Sequence, residues 1–159
     1  MSSRKLLSRD ELKAELGRFR AAGGREVIFA NGCFDIIHVG HVRYLQAARD
    51  EGELLIVGLN GDRSVARLKG AGRPLIPESE RAEILAAFSC VDFITIFNEE
   101  TVDRLLLELK PDVHAKGTDY TMESVPEKAT VESYGGRIAI VGDPKNHSTQ
   151  QLLESIRPA

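Results

Sequence analysis

Short apolar segments suited to strands alternate along this chain with stretches whose apolar residues recur every three or four positions. No other feature limits the fold as much. Strands are expected at 27–30, 54–59, 93–97, 113–115 and 138–141, all rich in β-branched or aromatic residues. Helices are expected at 8–22, 39–51, 78–89, 100–109, 126–134 and 148–156. In the first of these, Leu12, Leu16 and Phe19 fall at helical spacing and Ser8 with Glu11 makes a capping-box pattern. Strand, helix, strand in regular succession predicts βαβ units and a parallel sheet. The nearly continuous apolar run Leu54-Leu55-Ile56-Val57 fits a sheet covered on both faces. The expected class is therefore α/β: a doubly wound, Rossmann-like five-stranded parallel sheet with helices on both faces. Ligands of such sheets bind beyond the carboxyl ends of the strands.

Composition narrows the possibilities further. The 159 residues suit one domain, 1–159, with an N-terminal helix at about 8–22 and a core over 25–157. Hydrophobic residues at 42% and charged residues at 28% exclude a disordered or fibrous chain. No apolar run approaches the roughly 20 residues of a membrane span. The start, Met1-Ser2-Ser3-Arg4-Lys5, is too polar for a secretory signal. Two cysteines, Cys33 and Cys90, cannot build a disulfide framework, and the expected setting is the reducing cytoplasm. A net charge of −3 argues against general nucleic-acid binding.

The chemistry concentrates after the first strand, in Asn31-Gly32-Cys33-Phe34-Asp35-Ile36-Ile37-His38-Val39-Gly40-His41. Gly32 allows close backbone approach, and His41 falls in the first turn of the next helix, whose free N–H groups and dipole attract phosphate. His38 and His41, three apart, reach one anion from one turn, and either could carry a proton where negative charge builds. Gly40 leaves room beside them for a polyphosphate. Residue types alone leave alternatives: surface histidines, or a zinc site completed by Cys33. No second paired ligand motif supports zinc, since His114, His147 and Cys90 are scattered singly. Cys33 as a nucleophile lacks any activating feature, and a small buried thiol is its ordinary state. Arg63, Arg67, Lys69 and Arg73 form a basic island with no acidic residue between 63 and 73. Lys69 and Arg73, flanking Gly70 and Gly72, are the expected anion contacts. Arg63 and Arg67, about a turn apart, also fit a solvated helix face.

The residues 31–41 resemble the H-x-G-H signature of the cytidylyltransferase-like nucleotidyltransferases. Further elements follow in order: Leu68-Lys69-Gly70-Ala71-Gly72-Arg73-Pro74, Arg81-Ala82-Glu83-Ile84-Leu85, Cys90-Val91-Asp92, Lys116-Gly117-Thr118-Asp119-Tyr120 and His147-Ser148-Thr149. Together they are similar to the adenylyltransferase domain of the ADP-heptose synthesis enzymes, over residues 25–157. The resemblance implies that a sugar phosphate oxygen attacks the α-phosphorus of ATP and releases pyrophosphate, with Mg2+ arriving with ATP. It implies D-glycero-β-D-manno-heptose 1-phosphate as the acceptor, and small-molecule partners rather than nucleic acid or membrane. A homodimer is what relatives suggest.

On this resemblance His38, His41 and Lys69 are the expected catalytic residues. Asn31, Gly32, Cys33, Phe34, Gly40, Lys116, Gly117, Asp119, Ser148 and Thr149 are expected at the nucleotide, and Asp35, Asn60, Asp62, Arg63 and Arg73 at the acceptor. Plainer roles stand beside several of these: a loop brace for Asp35, a turn for Asp119, a helix cap for Ser148 and a structural contact for Arg81. Two departures are visible. Gln150 stands where the family more often has a second Thr, and Lys145 stands in a region where related cytidylyltransferases carry an Arg. A Lys lacks the bidentate geometry of Arg, which counts against glycerol phosphate. The alternatives are a CTP-dependent cytidylyltransferase acting on a small phosphate, a nucleotide-binding module without turnover, and a flavodoxin-like domain. A kinase step, if coupled, is expected on a separate polypeptide.

Overall fold

A computed structural model describes residues 5–144 and 146–158; Lys145 thus lies outside the described residues. The elements are α1 (Arg9–Ala21), β1 (Val27–Gly32), α2 (Val39–Asp50), β2 (Leu54–Asn60), α3 (Asp62–Lys69), α4 (Glu78–Ala86), β3 (Phe93–Phe97), α5 (Asp103–Leu109), β4 (Val113–Lys116), α6 (Lys128–Ser133), β5 (Arg137–Ile140) and α7 (Thr149–Ser155). The strands form one five-stranded sheet in the order β3-β2-β1-β4-β5, and every pairing is parallel. The expected doubly wound architecture is what the chain adopts.

Alternation along the strands explains how the sheet is covered, because successive side chains point to opposite faces. Ile28 and Ala30 of β1, with Leu55, Val57 and Leu59 of β2, pack with Leu45 and Ala48 of α2 and Ala82 and Leu85 of α4. Val27 and Phe29, with Leu54 and Ile56, pack with Leu12 and Leu16 of α1, Leu105 and Leu106 of α5 and Val131 of α6. All seven residues of β2 are buried, as its apolar run requires.

Local signals place the helix starts. The Ser8 hydroxyl accepts from Glu11 N and the Glu11 carboxylate accepts from Ser8 N at 2.8 Å, the reciprocal cap read from the sequence. The stretch 78–89 is helical only to Ala86, and the helix expected from 100 begins at Asp103. One helix was not expected as such. The basic stretch after β2 is α3, which ends at Gly70, whose φ of +94° suits only glycine. α3 and α4 cap each other: Glu78 Oε2 accepts from Asp62 N at 2.6 Å, and Asp62 Oδ1 accepts from Glu78 N at 2.8 Å.

The chain passes from β1 outward to β2 and β3, then returns to place β4 on the other side of β1. The connections at the carboxyl ends of β1 and β4 therefore diverge and leave a crevice between them. Among the described residues no helix is long and apolar enough to cross a membrane.

Candidate active site

The end of β1 turns sharply into α2. Phe34 has a φ of +47°, a conformation few non-glycine residues adopt, and is 4% exposed. Its ring lies over Gly32, where an added Cβ would come within 3.0 Å of it and would have to displace the ring by a few tenths of an ångström. His38 is the N-cap of α2: its Nδ1 accepts from Gly40 N at 3.1 Å, and its own N–H donates to His41 Nδ1 at 3.3 Å. Both Nδ1 atoms act as acceptors, so each neutral ring carries its proton on Nε2. The rings lie 3.9 Å apart between centroids, with Phe34 5.2 Å from His41. Gly40 lines the cleft and makes room for His38, because a Cβ there would sit 2.9 Å from the His38 ring. Two imidazoles in one helical turn thus stand side by side, with both Nδ1 atoms tied into the helix cap.

These histidines sit in a cleft of about 810 Å³ at the carboxyl edge of the sheet. Around them gather Asn31, Gly32, Cys33, Phe34, Asp35 and Gly40 from the β1 turn. Asn60, Lys69 and Arg73 come from the β2 side, and Lys116, Gly117, Asp119, Ser148 and Thr149 from the β4 side. Asp62 and Arg63, expected at the acceptor, do not line it. The Asp62 carboxylate faces the start of α4 and pairs with Arg81 at 2.7 Å, while Arg63 lies on α3 away from the cleft wall.

The β2 side of the cleft is braced from beneath. Arg81 is fully buried and donates to Ile76 O (2.9 Å), Cys33 O (2.5 Å), Asn60 O (2.8 Å) and Asp62 Oδ1 (2.7 Å). Asp35, read from the sequence as a sugar-hydroxyl acceptor or a loop brace, is 3% exposed and is engaged by Arg73, Leu75 N and Ile76 N. Burial opposes ionisation, yet the N–H groups of Ile76 and Leu75 and the Arg73 guanidinium hold its carboxyl below the usual range. The Asn60 side chain donates to Ser64 at 2.9 Å.

On the β4 side, Lys116 was expected to face phosphate, but its side chain is 8% exposed and lies 3.4 Å from Glu127 Oε2. Its ammonium also sits 4.5 Å above the Tyr120 ring. His114, two residues earlier on β4, is fully buried, stacks on Phe29 and places Nε2 3.6 Å from the same Glu127 oxygen. Burial pushes the His114 imidazole down in pKa, against the pull of Glu127 beside it. Burial would raise the Glu127 carboxyl, but His114 and the Lys116 charge outweigh it and hold it at about 2. Glu127 was not singled out in the sequence, and Tyr120 only as the end of the Lys116–Tyr120 element, with no role of its own. Nor were Tyr44, whose hydroxyl donates to Ala115 O at 2.8 Å, and Arg43, which pairs with Asp143 at 2.7 Å on the rim. Tyr44 lies one turn beyond His41 on α2, a spacing from which its place could have been read.

The remaining positions take plain structural contacts. Ser148 Oγ caps α7 by accepting from Gln151 N at 3.1 Å, and Thr149 Oγ1 donates to Ile36 O at 3.3 Å. Cys33 and Cys90 are free thiols. Burial pushes the Cys33 thiol up in pKa, which removes the thiolate a nucleophile needs. Among the described residues no three His, Cys, Asp or Glu side chains converge to hold a metal ion.

A family model described as cytidylyltransferase-like matches residues 29–155. The chain is 58% identical over 134 residues to the bifunctional protein HldE of Geotalea uraniireducens (strain Rf4), covering 84% of this chain and 27% of that protein. It is 51% identical over 148 residues to the bifunctional protein HldE of Syntrophotalea carbinolica (strain DSM 2380 / NBRC 103641 / GraBd1), covering 93% of this chain and 29% of that one. The chain thus spans less than a third of the length of these relatives. The crystal structure of the lipopolysaccharide core biosynthesis protein from Thermoplasma volcanium GSS1 superposes with a TM-score of 0.66 at 26% identity, covering 77% of this chain and all of that one. Pantothenate synthetase from Thermus thermophilus shares the fold, with a TM-score of 0.64 at 17% identity, covering 93% of this chain and 67% of that one.

Proposed function

Because this chain belongs to the cytidylyltransferase-like family and is a nucleotidyltransferase, we propose that it transfers AMP from ATP to a sugar 1-phosphate. The acceptor is D-glycero-β-D-manno-heptose 1-phosphate, and the products are ADP-heptose and pyrophosphate. One observation carries the reading: paired histidines, both with Nδ1 occupied, stand in a large cleft at the carboxyl edge of the sheet. The ordered motifs and the likeness to HldE proteins support the choice of acceptor.

The chemistry asks little of the protein beyond placement. The acceptor's ionised phosphate oxygen forms a bond to the α-phosphorus of ATP as the bond from that phosphorus to the bridging β-phosphate oxygen breaks. No general base is needed. The barrier lies in bringing two anions together and in the charge that builds on the leaving pyrophosphate. Nε2–H of His38 and of His41 donate to the α- and β-phosphate oxygens, beside backbone N–H groups near Gly32 and Phe34. Lys69 and Arg73 neutralise charge from the β2 side. The turn Lys116–Tyr120 carries the nucleoside, with Gly117 and Asp119 against it, and Ser148 and Thr149 stand at the phosphates' far edge. The described side chains offer no cluster of metal ligands, and Asp35 is already engaged by Arg73 and two peptide N–H groups. In this reading magnesium arrives as part of the MgATP substrate. The reading places the protein in the cytoplasm.

The test is pyrophosphate release from the purified protein given MgATP and heptose 1-phosphate. Release that requires both substrates supports the proposal. No release with any triphosphate rejects it, and faster turnover with CTP rejects the choice of ATP.

A further inference from the structure

The two edges of the sheet are protected in different ways. At one edge β5 is four residues long and opens with Arg137, which pairs with Glu51. Short strands and charged side chains keep an edge from pairing with another chain. At the other edge β3 reads Phe93-Ile94-Thr95-Ile96-Phe97, five residues of high β-propensity with no charge and no proline. Nothing within β3 blunts that edge.

The chain covers it with its own N-terminal segment. Residues 5–7 lie parallel to β3, with Leu6 opposite Ile94. Ile94 N donates to Lys5 O at 2.8 Å, and Leu7 N donates to Ile94 O at 2.9 Å. The side chains alternate as those of a strand do: Leu6 packs on the α2 and α4 side of the sheet, Leu7 on the α1 and α5 side. Lys5 Nζ fastens the far end by donating to Phe88 O at 2.8 Å. The cover is short. Alternate residues of a strand turn their N–H and C=O to the same edge, so Ile96 faces outward as Ile94 does. Among the described residues no backbone hydrogen bond ties Ile96 to segment 5–7.

The pattern of the edge also says what fits it. A two-fold axis that brings two β3 strands together antiparallel sets Ile94 of each opposite Ile96 of the other, and each such pair exchanges both of its hydrogen bonds. The apolar surfaces that Leu6 and Leu7 cover then meet on both faces of the joined sheet. We propose that residues 5–7 act as an edge guard, and that β3, once uncovered, pairs with β3 of a second copy of this chain. Neither the segment nor β3 lines the cleft, so the proposal stands apart from the proposed function.

Sedimentation velocity tests it, read over an about hundredfold range of protein concentration. The proteins compared are the full chain, a deletion of residues 2–4, a deletion of residues 2–7, and the longer deletion carrying Ile96→Pro. The longer deletion keeps the Ser8 cap and the buried Leu12 and Leu16 that hold α1 on the sheet, and cooperative urea unfolding shows that it is folded. The full chain and the deletion of 2–4 are expected to sediment alike, while the deletion of 2–7 associates further as its concentration rises. Ile96→Pro removes an outward N–H at an edge position, where proline is tolerated, and is expected to reverse that association. A deletion of 2–7 that sediments as the full chain does at every concentration overturns the proposal, as does association that Ile96→Pro leaves unchanged. Should the deletion not fold, Leu7→Pro in the full chain takes its place, because it removes the donor to Ile94 O. The Ile94 amide is then expected to exchange with solvent about tenfold faster than in wild type, with Thr95 and Phe97 unchanged, and the chain to associate as its concentration rises. An Ile94 amide as protected as before, or no added association, overturns the proposal.

Discussion

Arg81 Nη2 lies 2.7 Å from Asp62 Oδ1, and this pair joins the starts of α3 and α4 beneath the cleft. The Arg81 side chain is fully buried, and its other donors reach carbonyls on three segments, at Cys33, Asn60 and Ile76. Those segments are the β1 turn, the end of β2 and the loop that carries Arg73. One guanidinium therefore fixes the spacing of three parts of the cleft wall without itself lining the cleft.

Replacing Arg81 by Met removes every one of these donors and leaves buried carbonyls unpaired. The expected loss is on the order of 3–5 kcal/mol, a large share of the stability of a domain this size. Arg81→Lys is expected to recover only part of it, because an ammonium cannot reach carbonyls in three directions. Urea unfolding midpoints measure both variants; a Met variant as stable as wild type would remove the role assigned to this residue.

His38 carries two functions that can be pulled apart. Its Nδ1 caps α2, and its Nε2 is the proposed donor to phosphate. Asn is a good N-cap but holds no donor at the Nε2 position. His38→Asn is expected to unfold within about 0.5 kcal/mol of wild type while its kcat drops roughly 10²-fold. His41→Ala should lose at least as much rate. Equal activity of His38→Asn and wild type would remove the ring from the chemistry.

Cys33 lines the cleft beside both histidines, the setting in which a thiol is most readily mistaken for a nucleophile. Burial raises its pKa and so keeps it protonated. Ser in its place changes little in size, and kcat is expected to stay within about threefold of wild type. Steady-state turnover of the Cys33→Ser variant decides this, and a loss of two orders of magnitude would reinstate a covalent route.

The parts legible in the sequence were those with a strong local cause. Leu54-Leu55-Ile56-Val57, rich in branched side chains, fitted a strand buried on both faces, and Ser8 with Glu11 marked the start of α1. Arg63 and Arg67 hid α3, because Val65 and Ser64 are its only buried residues and the run reads as charge before it reads as a helix. Asp62 was placed at the cleft from its position after β2, yet its carboxylate turns back to Arg81 and α4, a partnership across 19 residues that spacing cannot reveal. The same holds for Glu127, which meets Lys116 and His114 only once β4 and the start of α6 are packed together. Motifs name the residues at the cleft; long-range partners decide which of their atoms remain for a ligand.

Those long-range partners make the β4 side sensitive to acid. The Glu127 carboxyl, at about 2 against 4.5, is ionised in the folded protein well below the pH at which the unfolded chain takes up a proton. His114, lowered from 6.5 by burial, stays neutral in the fold where the unfolded chain would charge it. In both cases the unfolded state binds more protons, so stability falls as the pH falls. The loss from His114 sets in below about 6.5, and that from Glu127 between 4.5 and about 2. Other carboxylates are also held below their ordinary range in the fold, among them Asp35, Glu99 and Glu108, so the comparison that isolates Glu127 is with Glu127→Gln. At neutral pH that variant leaves Lys116 buried without its counter-charge and is expected to be about 3 kcal/mol less stable. The gap should close as the pH is lowered through 4.5 toward 2, because the wild-type carboxylate is itself protonated there. Urea midpoints of the two proteins across this range test the claim: a gap that stays constant with pH would mean that Glu127 contributes by packing rather than by charge.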